Sequence, residues 1–319
     1  MKKLVILIAV LFGQHLYAQP DIVRFEYFFT EVSGDSVVGD TTKVPIAPAN
    51  DLTVNINIGL DLLSDTLSYH LHLYGVDENG KRSLQHIDTT SLALEVLKEK
   101  RVAAKVFLQG PYDTTTDMMS TNLNPSGGPL QIPLTSPYAE DPRTVSSIPA
   151  DIVDWVLVEL RDDTTGSAVA DTSAFLHKDG RIVADDGTTN EIILQTTSDS
   201  TNFFIVIRHR NHLSIMTSTE QLLSDAFSVL YDFTTAQSQA FGTINNPMRQ
   251  LETGVFGMYC GDANGDGGVD GLDFGVWFPQ NGNPWNYNTT PTDFNLDAGI
   301  DGLDFAIWFP NNGTGTQVP

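Results

Sequence analysis

The sequence is poor in cysteine, and this argues against two common ways of holding or anchoring a protein. Cys260 is the only cysteine, so an internal disulfide is impossible. No cysteine lies near the N-terminus, so we expect no lipid anchor on a cysteine there. The fold must therefore depend on packing and on any ions that the side chains bind.

Basic residues are also scarce. The chain has 17 Lys and Arg against 40 Asp and Glu, giving a formal net charge of −23. This balance argues against nucleic acid or an anionic membrane as partner, because both repel an acidic protein. The sequence also lacks G-x-S-x-G, H-E-x-x-H, a phosphate-binding loop and G-x-G-x-x-G, so it offers no recognisable catalytic motif.

Long apolar runs are absent after residue 19. Before it, Lys2 and Lys3 precede an apolar run from Leu4 to Phe12, and Ala18 follows. This order is typical of a secretory signal peptide at 1–18, and the run is too short to span a bilayer. We expect a secreted or cell-surface protein, with the periplasm as another destination, and not an integral membrane protein.

Alternating apolar residues predict a mainly β body in two β-sandwich-like modules, 20–95 and 100–258. In the first module the alternation predicts strands at 23–29, 54–60 and 69–76. In the second it predicts strands at 103–110, 154–162, 173–183, 191–196 and 203–210. We expect loop over most of 111–150, and the apolar spacing from Ser218 to Leu230 favours one amphipathic helix.

The C-terminal part carries one loop twice, as GDANGDGGVDGLDFGVWFPQNG (261–282) and TDFNLDAGIDGLDFAIWFPNNG (292–313). Oxygen-bearing residues fall at positions 1, 3, 5, 9 and 12, and position 7 offers a backbone carbonyl. This is the spacing of an EF-hand-type calcium loop, so the sequence predicts two Ca²⁺ sites. The expected ligands are Asp262, Asn264, Asp266, Gly268, Asp270 and Asp273, then Asp293, Asn295, Asp297, Gly299, Asp301 and Asp304.

Other positions of the loops agree with this interpretation. After Cys260 there are eight aspartates, all at ligand positions, and no Glu, Lys, Arg or His. Position 6 favours glycine because of a sharp turn, so Ala298 there should cost about 1 kcal/mol. We expect Val269 and Ile300, at position 8, to pair the two loops through a short β-bridge.

A short helical stripe of aromatic residues should follow each loop, and a proline should end each helix. The two stripes are expected to pack on each other. They are Phe274, Trp277 and Phe278, ended by Pro279, and Phe305, Trp308 and Phe309, ended by Pro310.

The duplicated D-x-N-x-D pattern, with its second acidic pair and following helix, resembles a type I dockerin over about 260–313. The resemblance implies a small α-helical loop–helix calcium module. It departs from the pattern at Ala298, in helices cut short by proline, and at Gly271-Leu272 and Gly302-Leu303, where no basic residues stand at the helix ends. The resemblance implies that this segment binds calcium, whereas docking to a cohesin is in doubt.

Two further stretches carry a resemblance. EYFF and GVDENGKRSLQH resemble a β-module of modular secreted proteins from bacteria with type IX export. A second set of segments resembles an uncharacterised extracellular region that commonly precedes a dockerin-like end: KVFLQGPYD, VDWVLVELRD, AFLHKDGRIV, IRHRNHLSIM and ETGVFGMYCGDANGDG. These resemblances imply secretion and a surface setting, and no activity.

One polar cluster follows an apolar strand outside the loops: Arg208, His209, Arg210, Asn211 and His212. Three interpretations stay open at this point. The cluster is a structural hydrogen-bond network between domains, a site for a glycan, an anion or a metal ion, or part of a catalytic centre. A metal ion there would need further ligands, for which His177 and Glu159 are candidates.

Together these patterns predict a secreted, calcium-binding modular protein without catalytic activity, serving in adhesion, scaffolding or binding of a glycan or protein. The alternative is an extracellular polysaccharide-degrading enzyme, or a subunit associated with one, that carries a dockerin-like module. A glycosidase needs two positioned carboxylates. Asp154, Glu159 and Asp162 are candidates that the sequence alone cannot pair.

Overall fold

The structure, a computed structural model, consists of two compact units, Met1–Lys98 and Glu99–Pro319. It describes residues 98–126, 131–242, 246–289 and 291–319 with their side chains, and five strands of the first unit by their backbone. Most of the expected signal peptide, 1–18, and much of the module expected at 20–95 lie outside the described residues. The signal peptide therefore stays a prediction.

The first unit contains two small antiparallel sheets. One pairs β1 with β4, and the other has the order β3-β2-β5. Three of the strands, β2, β4 and β5, are those that the alternating pattern predicts. The strands are β1 (Lys3–Val10), β2 (Ile22–Glu31), β3 (Val37–Pro45), β4 (Leu52–Gly59) and β5 (Tyr69–Asp77).

The second unit is also mainly β, which confirms that part of the expected fold class. Its longer strands are β6 (Lys98–Lys105), β9 (Ile152–Arg161), β10 (Ala170–His177), β12 (Ile192–Thr196), β13 (Asn202–His209) and β14 (His212–Met216). Its shorter strands are β7 (Tyr112–Asp113), β8 (Met118–Met119), β11 (Ile182–Val183), β15 (Gln221–Leu222), β16 (Leu230–Asp232), β17 (Arg249–Glu252), β18 (Val255–Gly257), β19 (Gly268–Val269) and β20 (Thr314–Gly315). Two helices, α1 (Gly271–Trp277) and α2 (Gly302–Trp308), follow the expected metal loops.

Two sheets of the second unit enclose one core. The larger has the order β11-β10-β9-β13-β14 with β15 beside β13, and the smaller has the order β12-β6-β16. Buried residues of both sheets belong to the same apolar cluster, among them Val102 of β6, Leu194 of β12 and Phe175 of β10. Strand β9 is central and is buried from Ile152 to Leu160, which explains its nearly continuous apolar sequence.

Trp155 of β9 is part of this core and not an exposed sugar platform. It is fully buried, its ring lies 4.1 Å from that of Phe175, and its Nε1 donates to the Pro133 carbonyl at 2.9 Å. The strand predicted at 173–183 divides into β10 and β11 around a turn at Gly180, where φ is +89°. A glycine meets that requirement without strain.

The helix expected from Ser218 to Leu230 is wrong. The segment holds β15 and the start of β16, and Leu222, Phe227 and Leu230 of the presumed apolar face are exposed. Its polar groups are committed to a turn instead: the Ser224 hydroxyl accepts from two nearby backbone N–H groups, and the Ser224 carbonyl accepts from Arg101. Serine side chains that bond locally compete with helix formation in this way. Among the described residues, no helix combines the length and apolar character needed to cross a bilayer.

The C-terminal segment packs against the β core within the same compact unit. Tyr287 and Leu296 belong to the main core cluster. A second buried cluster joins Leu213 of β14 to both loop–helix elements through Cys260, Trp277 and Trp308. This arrangement brings the expected metal loops against the end of β13.

Substitutions at two neighbouring residues of β12 test whether its faces are alternately buried and exposed. Leu194 is fully buried, whereas Ile193 is 41% exposed. We expect Leu194→Ala to lower the free energy of unfolding by about 2–5 kcal/mol, because it leaves a cavity. Ile193→Ala is the control and should cost less than about 1 kcal/mol. Equal losses in urea denaturation would contradict the assigned faces of β12.

Candidate metal centre

The two loops have similar patterns of hydrogen bonds from the backbone to the carboxylate at position 1. In the first loop the Asp262 carboxylate accepts from the N–H groups of Gly265 at 2.8 Å, Asp266 at 3.1 Å and Gly267 at 3.1 Å. In the second loop the Asp293 carboxylate accepts from Asp297 and Ala298, both at 3.0 Å. The backbone of each loop therefore curves around the carboxylate at position 1.

The carboxylate at position 12 closes each loop from the other side. Asp273 accepts from Ala263 at 2.8 Å, Asn264 at 3.2 Å and Asp270 at 2.8 Å. Asp304 accepts from the equivalent residues Phe294, Asn295 and Asp301 at 2.6, 3.3 and 2.8 Å. Positions 1 and 12, at opposite ends of the loop, thus lie close together in both repeats.

The remaining expected ligands have different surroundings. Asp270 and Asp301, at position 9, are N-caps of the helices, since their carboxylates accept from Leu272 and Leu303 at 2.7 Å. At positions 3 and 5 an Asn donates to an Asp at 2.8 Å in each loop. These pairs are Asn264 with Asp266 and Asn295 with Asp297. At position 7 the N–H groups of Gly268 and Gly299 donate to Asp266 and Asp297.

The expected positive φ at position 6 is confirmed in both loops. Gly267 has φ +84°, and Ala298 has φ +66°. Position 4 is also left-handed, with Gly265 at φ +74° and Leu296 at φ +56°. The second loop therefore places two non-glycine residues in a region that disfavours side chains.

Four carboxylates of the loops are buried without a paired cation. Asp262, Asp273, Asp293 and Asp304 are at most 6% exposed. None of the salt bridges among the described residues includes them. Burial raises the pKa of Asp262 to about 6, of Asp293 to about 7 and of Asp304 to about 6, and it also raises the pKa of Asp273. Neighbouring carboxylates add to the increase in each loop, whereas the nearby Arg210 reduces it for Asp293.

This donor set fits a hard dication. Carboxylate, amide and backbone oxygens are the donors that Ca²⁺ takes, and a bound dication would offset the cost of burying these anions. Within the described residues, no three carboxylate, imidazole or thiol groups converge as a metal cluster. An EF-hand-type loop takes some of its ligands from asparagine side chains and backbone carbonyls. Its ligand set is therefore wider than a cluster of carboxylates.

The two helices bring four of the six stripe residues together, as expected. The expected packing of Phe278 and Phe309 across the stripes is wrong, since they are 65% and 64% exposed and contact rings of their own stripe. The Phe274 ring lies 5.5 Å from Trp308 and 6.0 Å from Phe305, and Trp277 lies 5.3 Å from Phe305. The expected bridge between Val269 and Ile300 is wrong, since Val269 pairs with Thr314. Instead the repeats exchange reciprocal hydrogen bonds, from Gly313 to the Val269 carbonyl and from Gly282 to the Ile300 carbonyl. Each loop is thereby held by the end of the other repeat.

The Arg208–His212 cluster lies at the seam between the β core and the second loop. The buried carboxylate of Asp154 accepts from Tyr287, from His209 Nε2 at 3.2 Å and from Arg210 Nε at 3.0 Å. Burial alone would raise the pKa of Asp154, but Arg210, with His209 and Tyr287, outweighs it and holds that pKa below its usual range. The Arg210 guanidinium also lies 4.4 Å from the centre of the Tyr287 ring.

The imidazoles of this cluster are engaged with each other and with the backbone. His209 Nδ1 and His212 Nδ1 are 2.9 Å apart, and His212 Nε2 lies 2.9 Å from the Gln109 carbonyl. Burial lowers the pKa of both histidines. His177 is not part of the cluster; it pairs with Asp179 at 2.8 Å. This geometry favours the structural interpretation of the cluster over a histidine metal site.

Sequence reasoning did not find the partners of this cluster. Asp154 and Tyr287 lie far from it in the chain, and nothing in the spacing brings them together. Glu159 lies near Arg208, but both of its oxygens are engaged, by Arg208 at 2.8 Å and Arg161 at 3.1 Å. Two carboxylates, Asp154 and Glu159, in the otherwise apolar VDWVLVEL were the available signal, because a buried carboxylate requires a partner.

The turn at position 6 gives a reciprocal test of the loop geometry. Ala298→Gly should raise the free energy of unfolding by up to about 1 kcal/mol, because it removes left-handed strain. Gly267→Ala should lower it by at least about 1 kcal/mol, since a Cβ there also meets Thr316 at 3.0 Å. Urea denaturation measures both. A loss of stability in Ala298→Gly would contradict the strain.

The charge buried at the seam gives a second test. Asp154→Asn leaves Arg210 without its counter-charge and should lower the free energy of unfolding by about 3–5 kcal/mol. Asp185→Asn is the control, because its pair with Arg143 is at the surface and should contribute less than about 1 kcal/mol. Equally small losses in chemical denaturation would show that Asp154 does not hold the seam.

The chain was compared with protein-family models, with curated proteins and with solved structures, and no match was found in any of the three comparisons. The functional assignment therefore depends on the chemistry of the loops and of the surfaces around them.

Proposed function

We propose that this protein is a secreted, calcium-binding modular protein without catalytic activity, whose C-terminal module is held in shape by two Ca²⁺ ions. The observation that carries the proposal is the repeated loop. In each copy, the carboxylates at positions 1 and 12 are buried, accept hydrogen bonds from backbone N–H groups and form no direct ion pair, although Arg210 lies close enough to Asp293 to offset part of its charge. A hard dication is the partner whose chemistry matches that set.

A binding role is supported by the outer faces of the two helices. The same two positions of each repeat carry large apolar side chains that are 60–65% exposed: Leu272 and Phe278 on one helix, Leu303 and Phe309 on the other. Contiguous exposed apolar patches mark surfaces that contact other molecules, and the recurrence of these side chains in both repeats supports such a surface here. We propose an extracellular protein or glycan as that molecule, with adhesion or scaffolding as the purpose.

The non-catalytic part of the proposal is supported by two of the three carboxylates considered for a hydrolase; the third, Asp162, is exposed and accepts from Ser198. Asp154 is fully buried and bonded to three side chains, and Glu159 is held between two arginines. A glycosidase pair needs one carboxyl group that can give a proton to the leaving group and another that faces the sugar. Neither residue is free to take such a role in this arrangement.

Calorimetric titration of residues 19–319 with Ca²⁺ tests the metal sites. We expect about two ions per chain, and one ion in the variant carrying Asp262→Ala together with Asp273→Ala. Asp163→Ala is the control, because Asp163 is an exposed turn residue outside the loops and should leave both sites intact. No uptake at about millimolar Ca²⁺, the weak end for extracellular modules, would contradict the proposal.

A further inference from the structure

The two loops have the same ligand spacing but differ at positions 2 and 4. The first loop has Ala263 and Gly265 there, and the second has Phe294 and Leu296. Loop positions 2 and 4 supply no side-chain ligand, so calcium coordination does not explain the large residues. Their surroundings in the fold do.

Leu296 anchors the second loop in the main core of the β unit. It is 1% exposed and belongs to the same buried cluster as the strands of both sheets, with Ala298 packed against that cluster. The equivalent Gly265 of the first loop is exposed, and a Cβ there would meet nothing within 4 Å. One loop is inserted into the core, and the tip of the other faces solvent.

The backbone of the second loop is also tied to the β unit, chiefly by Asn211. The buried Asn211 side chain donates to the Pro291 carbonyl at 2.9 Å and to the Asp293 carbonyl at 2.8 Å. Phe294 is fully buried, and its carbonyl accepts from Cys260 Sγ at 3.3 Å. The same carbonyl approaches Gly110 so closely that a Cβ at Gly110 would lie 2.2 Å away.

The first loop has weaker ties to the β unit. Gly261, just before the loop, donates to the Asn211 carbonyl at 3.0 Å, and the Gly267 carbonyl accepts from Thr316 at 2.8 Å. Residues 264–266 between these points are exposed. Segments with few buried contacts open locally without unfolding the domain. The tip of the first loop meets this description, and the second loop does not.

We propose that the second loop is a structural calcium site coupled to the stability of the β core, that the first is an exchangeable site that opens locally, and that Asn211 is a positioning residue for the second. This inference rests on the proposed calcium function and goes beyond it, because it assigns different roles to two loops of equal ligand spacing. The core contacts also explain how Leu296 and Ala298 are kept at positive φ.

A matched pair of substitutions at position 5 separates the two roles. Asp266 and Asp297 are both exposed and have the same local bonds, so Asp266→Asn and Asp297→Asn remove one ligand charge from equivalent positions. Calorimetry on the full chain should show that each variant weakens one site by at least about tenfold, since ligand charge sets the affinity. Thermal unfolding with and without Ca²⁺ then assigns each site its role.

In the wild type, Ca²⁺ at 100 times the dissociation constant should raise the melting temperature of the β unit by roughly 5–10 °C. Asp266→Asn should keep most of that increase, and Asp297→Asn should lose about half of it for a tenfold loss of affinity, and more if the loss is larger. If the two variants lose the increase equally, or Asp266→Asn loses more, the inference is overturned while calcium binding stands. If the wild type takes up no Ca²⁺, the proposed function itself fails.

Asn211 is tested through the calcium isotherm. Asn211→Ala should weaken the second site by about 10–100-fold, the usual effect of removing a side chain that orients a metal ligand, and leave the first site unchanged. Asn124→Ala is the control, since Asn124 donates to the Pro149 carbonyl away from both loops. A merely structural role would lower the melting temperature of Asn211→Ala without changing the ratio of the two affinities, and that result would contradict the positioning role.

Discussion

Buried negative charge is the constraint on which the C-terminal loop–helix segment of this protein depends. Two carboxylates in each loop are removed from water, and the groups that bond them are backbone N–H donors and not cationic side chains. Such donors fix the position of an anion but leave it without a full counter-charge. The raised pKa values of Asp262, Asp293 and Asp304 express the same cost, and a bound dication would offset it.

At the seam between the β core and the second loop, the buried carboxylate is paired with a cationic side chain, unlike the carboxylates of the loops. Asp154 is compensated by Arg210 and by bonds from His209 and Tyr287, all inside the protein. That network joins β9, the end of β13 and the connection between the two repeats. Asn211, next to Arg210, continues it to the backbone of Asp293. The polar cluster at the end of β13 thus links the β core to the loop through hydrogen bonds.

Local patterns account for much of what the sequence could predict. Alternation located β12, because one face of that strand is buried, and short apolar runs located β9 and β13, which are buried on both faces. The loop spacing located α1 and α2, the left-handed turn at Gly267 and Ala298, and the contact between the aromatic stripes.

The failures have a common physical cause, which is competition from distant parts of the chain. The helix at 218–230 was wrong because only Leu223 of its apolar residues reaches the core, while the Ser224 carbonyl accepts from Arg101 of β6. Val269 paired with Thr314 and not Ile300, because the C-terminal segment returns to the first loop. Asp154 and Tyr287 could not be paired from spacing. The sequence shows that the second loop has the large residues Phe294 and Leu296 where the first loop has small ones. Only the structure shows the reason, because Leu296 packs in the main core.

The central claim is that both loops hold Ca²⁺, and a crystal structure of the protein grown with Ca²⁺ tests it most directly. The account predicts two anomalous-scattering peaks per chain, one in each loop. Each ion should have about six to eight oxygen ligands at about 2.3–2.6 Å, including the carboxylates at positions 1 and 12. Well-ordered loops with no metal density at about millimolar Ca²⁺ would contradict it.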